Sequence, residues 1–306
     1  MHEQIKKERF QDLLNNPEVF AFARQVIIDS YIDCAPGFEA VMQSLLQDAF
    51  DALRAVGSDQ GRFNRTIAVL RDELFRKQDE SFWFNRLYKH YKRELKPHYR
   101  YQNLQGWLSG EQVLDLGCGD GLTSLTLSRQ GFKVFLTDVL DYRDPAAKSL
   151  PFAPMRDSRA IPYPGRHFDM AIVFAVLHHV EADDFFPLLD GLHQASRQVI
   201  VEEDCYAIPA ELDGLGDVLD RDEQLRAFMA LPLEEQLRYL MFVDYFANAI
   251  TQGLPEMDLP FNFRTVREWH QVFTDRGFSV RETRVMGFQK GFFNRSCHVW
   301  FLLEAN

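Results

Sequence analysis

Residues 113–121 read VLDLGCGDG, and the run KVFLTD a little further on ends at Asp138. Asp115 and Asp138, with three spaced glycines between them, suit a cradle of nucleotide size. Val113 and Leu114 read as the end of a buried strand. Gly117, Gly119 and Gly121 leave no side chain between the backbone and a ligand. Leu122–Gln130, apolar at Leu122, Leu125 and Leu127 and stopped by Gly131, reads as the helix that follows. A glycine turn leading into a helix N-terminus presents unpaired amides to a ligand. Asp138, at the carboxyl end of its strand, can accept both hydroxyls of a ribose. The spacing is D-x-G-x-G-x-G and not the G-x-G-x-x-G of dinucleotide folds.

The elements around this turn alternate between strand and helix. PFAPM (151–155), the apolar run Met170–Phe174 and QVIVEE (198–203) read as the third, fourth and fifth strands. An uninterrupted apolar run is expected of a strand covered on both faces of a parallel sheet. Residues 182–197 read as a helix. RTVREWHQVFTDRG (264–277) carries a capping box, Thr265 with Glu268, and a glycine stop. FSVRETR and HVWFLLE read as a closing antiparallel pair joined by 287–294.

Residues 1–105 read as wholly helical. Asn16 followed by Pro17 is a cap and first turn for a helix over 19–32, and 38–56, 63–75 and 81–91 repeat the pattern. The stretch 205–263 holds further helical pieces, about 222–228 and 233–249, inserted after the fifth strand. The expected division is therefore a helical accessory region over 1–105 and a core over 106–306 with an insertion at 205–263. An insertion after the fifth strand lies by the carboxyl edge of the sheet, where ligands bind in open α/β folds; a surface used only for dimerisation is the alternative.

The chain has 306 residues, 46% apolar and 26% charged, with a net charge of −11. This is the composition of an ordinary globular protein and argues against general nucleic-acid binding, which needs a basic footprint. The basic run KHYKRELKPHYR (89–100) reads as a solvated helix face. Cys34, Cys118, Cys205 and Cys297 form no C-x-x-C pair, as expected of reduced thiols in a cytoplasmic protein. The first residues lack the apolar core of a signal peptide, and no apolar run approaches membrane-spanning length.

The D-x-G-x-G-x-G turn with its distal Asp138 resembles the class I S-adenosylmethionine-dependent methyltransferases. The resemblance covers 113–204 closely and 264–303 loosely. It implies a Rossmann-like α/β sheet of seven strands, six parallel and one antiparallel, with S-adenosyl-L-methionine as cofactor. It places Asp115 under the amino-acid end of the cofactor, the turn Gly117, Cys118 and Gly119 beneath its methionine and ribose, and Asp138 with Val139 at the ribose. MRDSRAIPYP (155–164) resembles the family's segment in which an aspartate takes the adenine amino group and the next amide reads the ring, here Asp157 and Ser158. FAVLHH (174–179) is similar to the small-molecule branch, and Ala175 and the backbone after it would pass near the reactive methyl.

His178 is the candidate general base, since an imidazole with an ordinary pKa of about 6.5 accepts a proton at neutral pH. His179 is expected to turn into the packing between sheet and helix. Tyr88, Tyr245 and Glu203 are candidate contacts to a methyl acceptor, with Glu202 and Asp204 beside Glu203; acids at strand ends are also commonly solvated. The aromatic residues of 83–88 and 245–263 suit either an apolar pocket or a core. No N/D-P-P-Y motif for amino groups on bases and no Pro-Cys nucleophile follows the fourth strand, and no metal site is implied.

The reading of function is transfer of a methyl group to an O or N atom of a small organic molecule. One alternative is an RNA or protein methyltransferase docked by the N-terminal helices, and another is a non-transferring binder of the cofactor. A homodimer through those helices is a further expectation.

Overall fold

The computed structural model describes residues 2–57, 59–75, 82–253 and 259–306. In chain order its helices are α1 (His2–Ile5), α2 (Phe10–Asn15), α3 (Pro17–Asp33), α4 (Glu39–Ala55), α5 (Gln60–Phe75) and α6 (Trp83–His90). A π-helical turn (Tyr91–Leu95) leads to α7 (Lys96–Leu104), followed by α8 (Leu122–Arg129), α9 (Ala182–Ala195), α10 (Leu215–Leu219), α11 (Glu223–Ala230), α12 (Leu233–Tyr245) and α13 (Val266–Asp275). The strands are β1 (Gln112–Leu116), β2 (Lys133–Asp138), β3 (Phe152–Pro154), β4 (Phe168–Phe174), β5 (Ser196–Tyr206), β6 (Arg264–Thr265), β7 (Phe278–Gly287) and β8 (His298–Ala305).

The chain forms two compact units. One takes residues 1–91, 219–261 and 287–297, the other 92–218, 262–286 and 298–306. The second holds the sheet, in the order β3-β2-β1-β4-β5-β8-β7, with β6 paired to β5 off this path. β1 runs parallel to β2 and β4, β2 to β3, and β4 to β5, whereas β8 is antiparallel to β5. This is the Rossmann-like sheet expected from the sequence, with the two-residue β6 added.

Alternation along the strands fixes what each face buries. Val113, Met170, Ile172, Phe174, Ile200 and Trp300 share a core with Leu104 and Trp107, beyond the end of α7, and Leu127 of α8. The expected boundary lay near residue 105; here α7 buries Leu104 in the core of the sheet unit, and the first segment of the helical unit ends at Tyr91. The insertion is also differently placed. β5 continues to Tyr206, 207–218 stays with the sheet unit, and 219–261 joins the helical unit together with the 287–297 connection.

Local signals hold where they rest on backbone chemistry. Asn16 Oδ1 accepts the amides of Glu18 and Val19, each at 3.1 Å, and Pro17 opens α3. Thr265 Oγ1 accepts the Glu268 amide at 3.1 Å while the Thr265 amide donates to Glu268 Oε2 at 2.8 Å, which is the capping box of α13. In the helical unit Phe10, Phe20 and Phe50 pack against Phe242 of α12. Ser81, expected to begin a helix, lies outside the described residues; the helix there is α6. Among the described residues no helix is long and apolar enough to cross a membrane.

Candidate active site

The glycine turn joins β1 to α8, and its glycines serve different ends. Gly117, Gly119 and Gly121 all have positive φ, at 71°, 54° and 70°. A Cβ on Gly117 would fall 2.4 Å from Val176 Cγ2, and one on Gly121 would lie 3.0 Å from Ala147 Cβ. These two are glycine because the protein packs against them. A Cβ on Gly119 would meet nothing nearer than Tyr142 Cε2 at 4.0 Å. Gly119 therefore leaves open space above the turn, of the kind a ligand needs.

Asp138 closes β2 against this turn. Its Oδ2 accepts the Gly119 amide at 2.8 Å and its Oδ1 the Val139 amide at 2.8 Å. A carboxylate so fixed retains lone pairs for two further donors, such as vicinal hydroxyls. Burial pushes its pKa up, against the pull of these amides. Val139 beside it is exposed. Asp115 is buried under the turn, where Ser124 Oγ donates to its Oδ2 at 2.7 Å. Burial pushes its pKa up to about 7, with Ser124 and Arg100 opposing. A buried carboxyl held near neutrality is well placed to meet an ammonium group. Burial likewise raises the Cys118 thiol, so it stays protonated.

The Asp157–Ser158 pair builds a turn. Asp157 Oδ1 accepts the Arg159 amide at 3.0 Å, and the Ser158 hydroxyl donates to Asp184, which also accepts from Arg159. This is the turn chemistry that Asp-Ser sequences favour. Asp157 is exposed and Ser158 half-buried.

Beyond β4 the chain is forced into an unusual shape. Ala175 has φ +56°, the left-handed region that a side chain disfavours, and its amide donates to the Glu202 carbonyl at 2.8 Å. The next two amides, of Val176 and Leu177, then point at one carboxylate oxygen, Glu203 Oε1, at 3.1 and 2.7 Å. The other oxygen, Oε2, lies 2.6 Å from His178 Nδ1. Phe263 stacks on the imidazole at 4.7 Å, and the Asn262 amide donates to the His178 carbonyl at 2.9 Å.

Two expectations meet the structure here. Glu203 is fully buried, and one oxygen accepts two amides while the other lies against the His178 imidazole, so its carboxylate does not stand open at the strand end. His178 is the buried histidine, and His179 is the half-exposed one, the reverse of the expected orientation. The acids that end β5 are not solvated.

The opposite face of β5 carries a charge cluster that the sequence did not disclose. Glu202 receives Arg100 Nε at 3.2 Å and Nη2 at 3.0 Å, and Asp204 lies 2.8 Å from His298 Nδ1. Burial pushes Glu202 up, but Arg100 and His298 outweigh it and hold it low. For His298 burial favours the neutral ring, yet Asp204 and Glu202 hold its pKa up. Lys92 pairs with Asp120 at 3.0 Å and Arg93 with Asp144 at 2.9 Å. The basic run at 89–100 is thus solvated only in part: Arg100 is largely buried with Glu202, while Lys92 and Arg93 stay half-exposed but pair with acids far along the chain.

Tyr88 and Tyr245 belong to the helical unit. Tyr245 stacks on Phe10 and donates its hydroxyl to the Glu8 carbonyl at 3.2 Å; Tyr88 packs with Phe84, Tyr91 and Phe293. Phe84, Phe246 and Phe261 are core residues there.

A family model described as "Methyltransferase domain" matches residues 86–283, and the chain belongs to that family. It is an S-adenosylmethionine-dependent methyltransferase of the class I fold, with S-adenosylmethionine as its cofactor. Among solved structures it is similar to the pyocyanin biosynthetic protein PhzM, at 12% identity and a TM-score of 0.50, over 90% of this chain and 72% of that one. It is also similar to a SAM-dependent methyltransferase from Methanosarcina mazei, at 14% identity and a TM-score of 0.45, over 67% of this chain and 97% of that one. A magnesium protoporphyrin IX methyltransferase from Synechocystis with bound SAH aligns at 16% identity and a TM-score of 0.44, over 78% of this chain and 99% of that one. At 12% identity the likeness to PhzM is one of fold. No curated protein matches the chain.

Proposed function

We propose that this methyltransferase acts on an O or N atom of a small organic molecule, with His178 as the base that takes the acceptor's proton. The observation that carries the reading is the His178–Glu203 pair, 2.6 Å apart at the end of β4 and β5. Orienting an imidazole with a buried carboxylate suits removal of a proton from a hydroxyl or an N–H, and carbon acceptors without such a proton have less need of it. The proposed seat for the cofactor comprises Asp115, Gly117, Cys118, Gly119, Asp138, Val139, Asp157, Ser158 and Ala175. The open face at Gly119 and the aimed carboxylate of Asp138 support it.

When bound, S-adenosylmethionine supplies an electrophilic methyl group on a positively charged sulfur. Asp138 would hold the ribose hydroxyls, and Asp115 would meet the amino group of the methionyl end. His178 would accept the acceptor's proton while Glu203, 2.6 Å from its Nδ1, stabilises the imidazolium. The remaining task is alignment of two reactants, an effect worth up to about 7–11 kcal/mol. That the cysteines form no disulfide among the described residues supports a place in the cytoplasm.

The test is label transfer from methyl-tritiated S-adenosylmethionine into fractionated cell extract, with Asp138→Ala as the blank. Label in the small-molecule fraction is expected. Label confined to RNA or protein would overturn the reading.

A further inference from the structure

We propose that Lys96 holds the α-carboxylate of bound S-adenosylmethionine. The segment 92–100 brings four cations to the carboxyl edge of the sheet. Lys92, Arg93 and Arg100 are paired with Asp120, Asp144 and Glu202. Lys96 is different. It is half-buried and near enough to Asp120 and Glu202 for both to favour its charge, yet among the described residues it makes no hydrogen bond or ion pair. Arg100, one turn on, and then burial push its pKa down to about 8. A partly desolvated ammonium beside a guanidinium is unfavourable until an anion joins it.

Position identifies the anion. Asp138 on β2 marks the ribose end of the proposed seat, and the sheet order places β4 and β5 on the far side of β1. The methionyl end therefore runs across the glycine turn toward β4 and β5. The Lys92–Asp120 pair fastens the helical segment to that turn, and Arg100–Glu202 fastens it to the end of β5. Lys96 lies between the two fastenings. The cofactor carries a single anion, its carboxylate, and in the proposed seat Asp115 would take its ammonium. Nearby Arg143 and Lys148 are both engaged with Asp141.

This assignment rests on the cofactor seat proposed above, and the experiment separates the two. Calorimetric titration with S-adenosylhomocysteine and with its decarboxylated analogue needs no acceptor. Wild type is expected to prefer the carboxylated ligand by ~10- to 100-fold, the range for a charge-assisted hydrogen bond. Lys96→Met is expected to bind both ligands as wild type binds the decarboxylated one, and Lys96→Arg to recover part of the preference. Equal affinities in wild type would overturn the assignment whatever the variants do. So would a preference kept by Lys96→Met, which would assign the lysine to an anion on the acceptor. An equal loss for both ligands in that variant would reveal a purely structural role and also overturn it. Asp138→Ala reports on the seat alone: unchanged affinity there removes the seat and this assignment with it.

Discussion

On one face of β5, Glu202 meets the guanidinium of Arg100; on the other face, one residue later, Glu203 meets two backbone amides and the imidazole of His178. Both carboxylates are buried at the same sheet edge. The first is matched by a full positive charge and ties α7 to the sheet. The second is matched by dipoles and by a ring that gains or loses a proton. A full ion pair fixes a position, whereas amides and an imidazole leave a charge available for work. In this account the Glu202 face builds the seat for the cofactor's methionyl end, and the Glu203 face handles the proton.

Breaking the Glu203 face should give the largest effect. With the acceptor that the label marks, His178→Ala is expected to lower turnover by ~10²- to 10⁴-fold, the usual contribution of a general base. Glu203→Gln should lower it less and should change the pH profile of turnover, because the imidazolium loses its carboxylate. A pH profile identical to wild type would show that Glu203 only packs.

On the Glu202 face the loss should appear as stability. Glu202→Gln leaves Arg100 and His298 facing a neutral amide, and removing one partner of a buried pair costs about 3–5 kcal/mol. Urea unfolding measures it. A cost near that of an exposed pair, under about 1 kcal/mol, would contradict the picture of a buried fastening.

The smallest effect sharpens the role of Asp115. Its pKa is raised to about 7 by burial, so the folded protein binds this proton more tightly than the unfolded chain does. Its contribution to stability is complete below the ordinary carboxyl range and is lost as pH rises through about 7. Ligand binding runs the other way, because meeting an ammonium requires the ionised form. Affinity for S-adenosylhomocysteine should therefore rise with pH up to about 7, by at most ~10-fold per unit. In Asp115→Asn that dependence should vanish in the same calorimetric titrations. Ser124, Arg100, Asp138 and Asp120 surround this group, and a slope persisting in the variant would assign the titration to one of the acids among them.

Much of the sheet unit was legible because its signals are local. The apolar run at Met170–Phe174, the glycine turn and the Thr265–Glu268 capping box each specify backbone geometry within a few residues. The turn around Asp138 was readable for the same reason. The charge cluster was not, since Arg100 and Glu202 are 102 residues apart and Lys92 and Asp120 meet only through the fold. A basic run has the same spacing whether it faces water or a row of distant acids. The burial of Glu203 and His178 was not legible because it depends on the left-handed turn at Ala175, a shape that alanine does not advertise. Ser124 and Phe263 carry no sequence mark at all for their contacts with Asp115 and His178.

The division between a cofactor side and a proton side is tested most directly by titrating S-adenosylhomocysteine into Asp138→Ala and His178→Ala side by side. A loss of ~10²- to 10⁴-fold is expected for Asp138→Ala, from two charge-assisted hydrogen bonds at the ribose, and wild-type affinity for His178→Ala. Comparable losses in both variants, or a loss in His178→Ala alone, would contradict it.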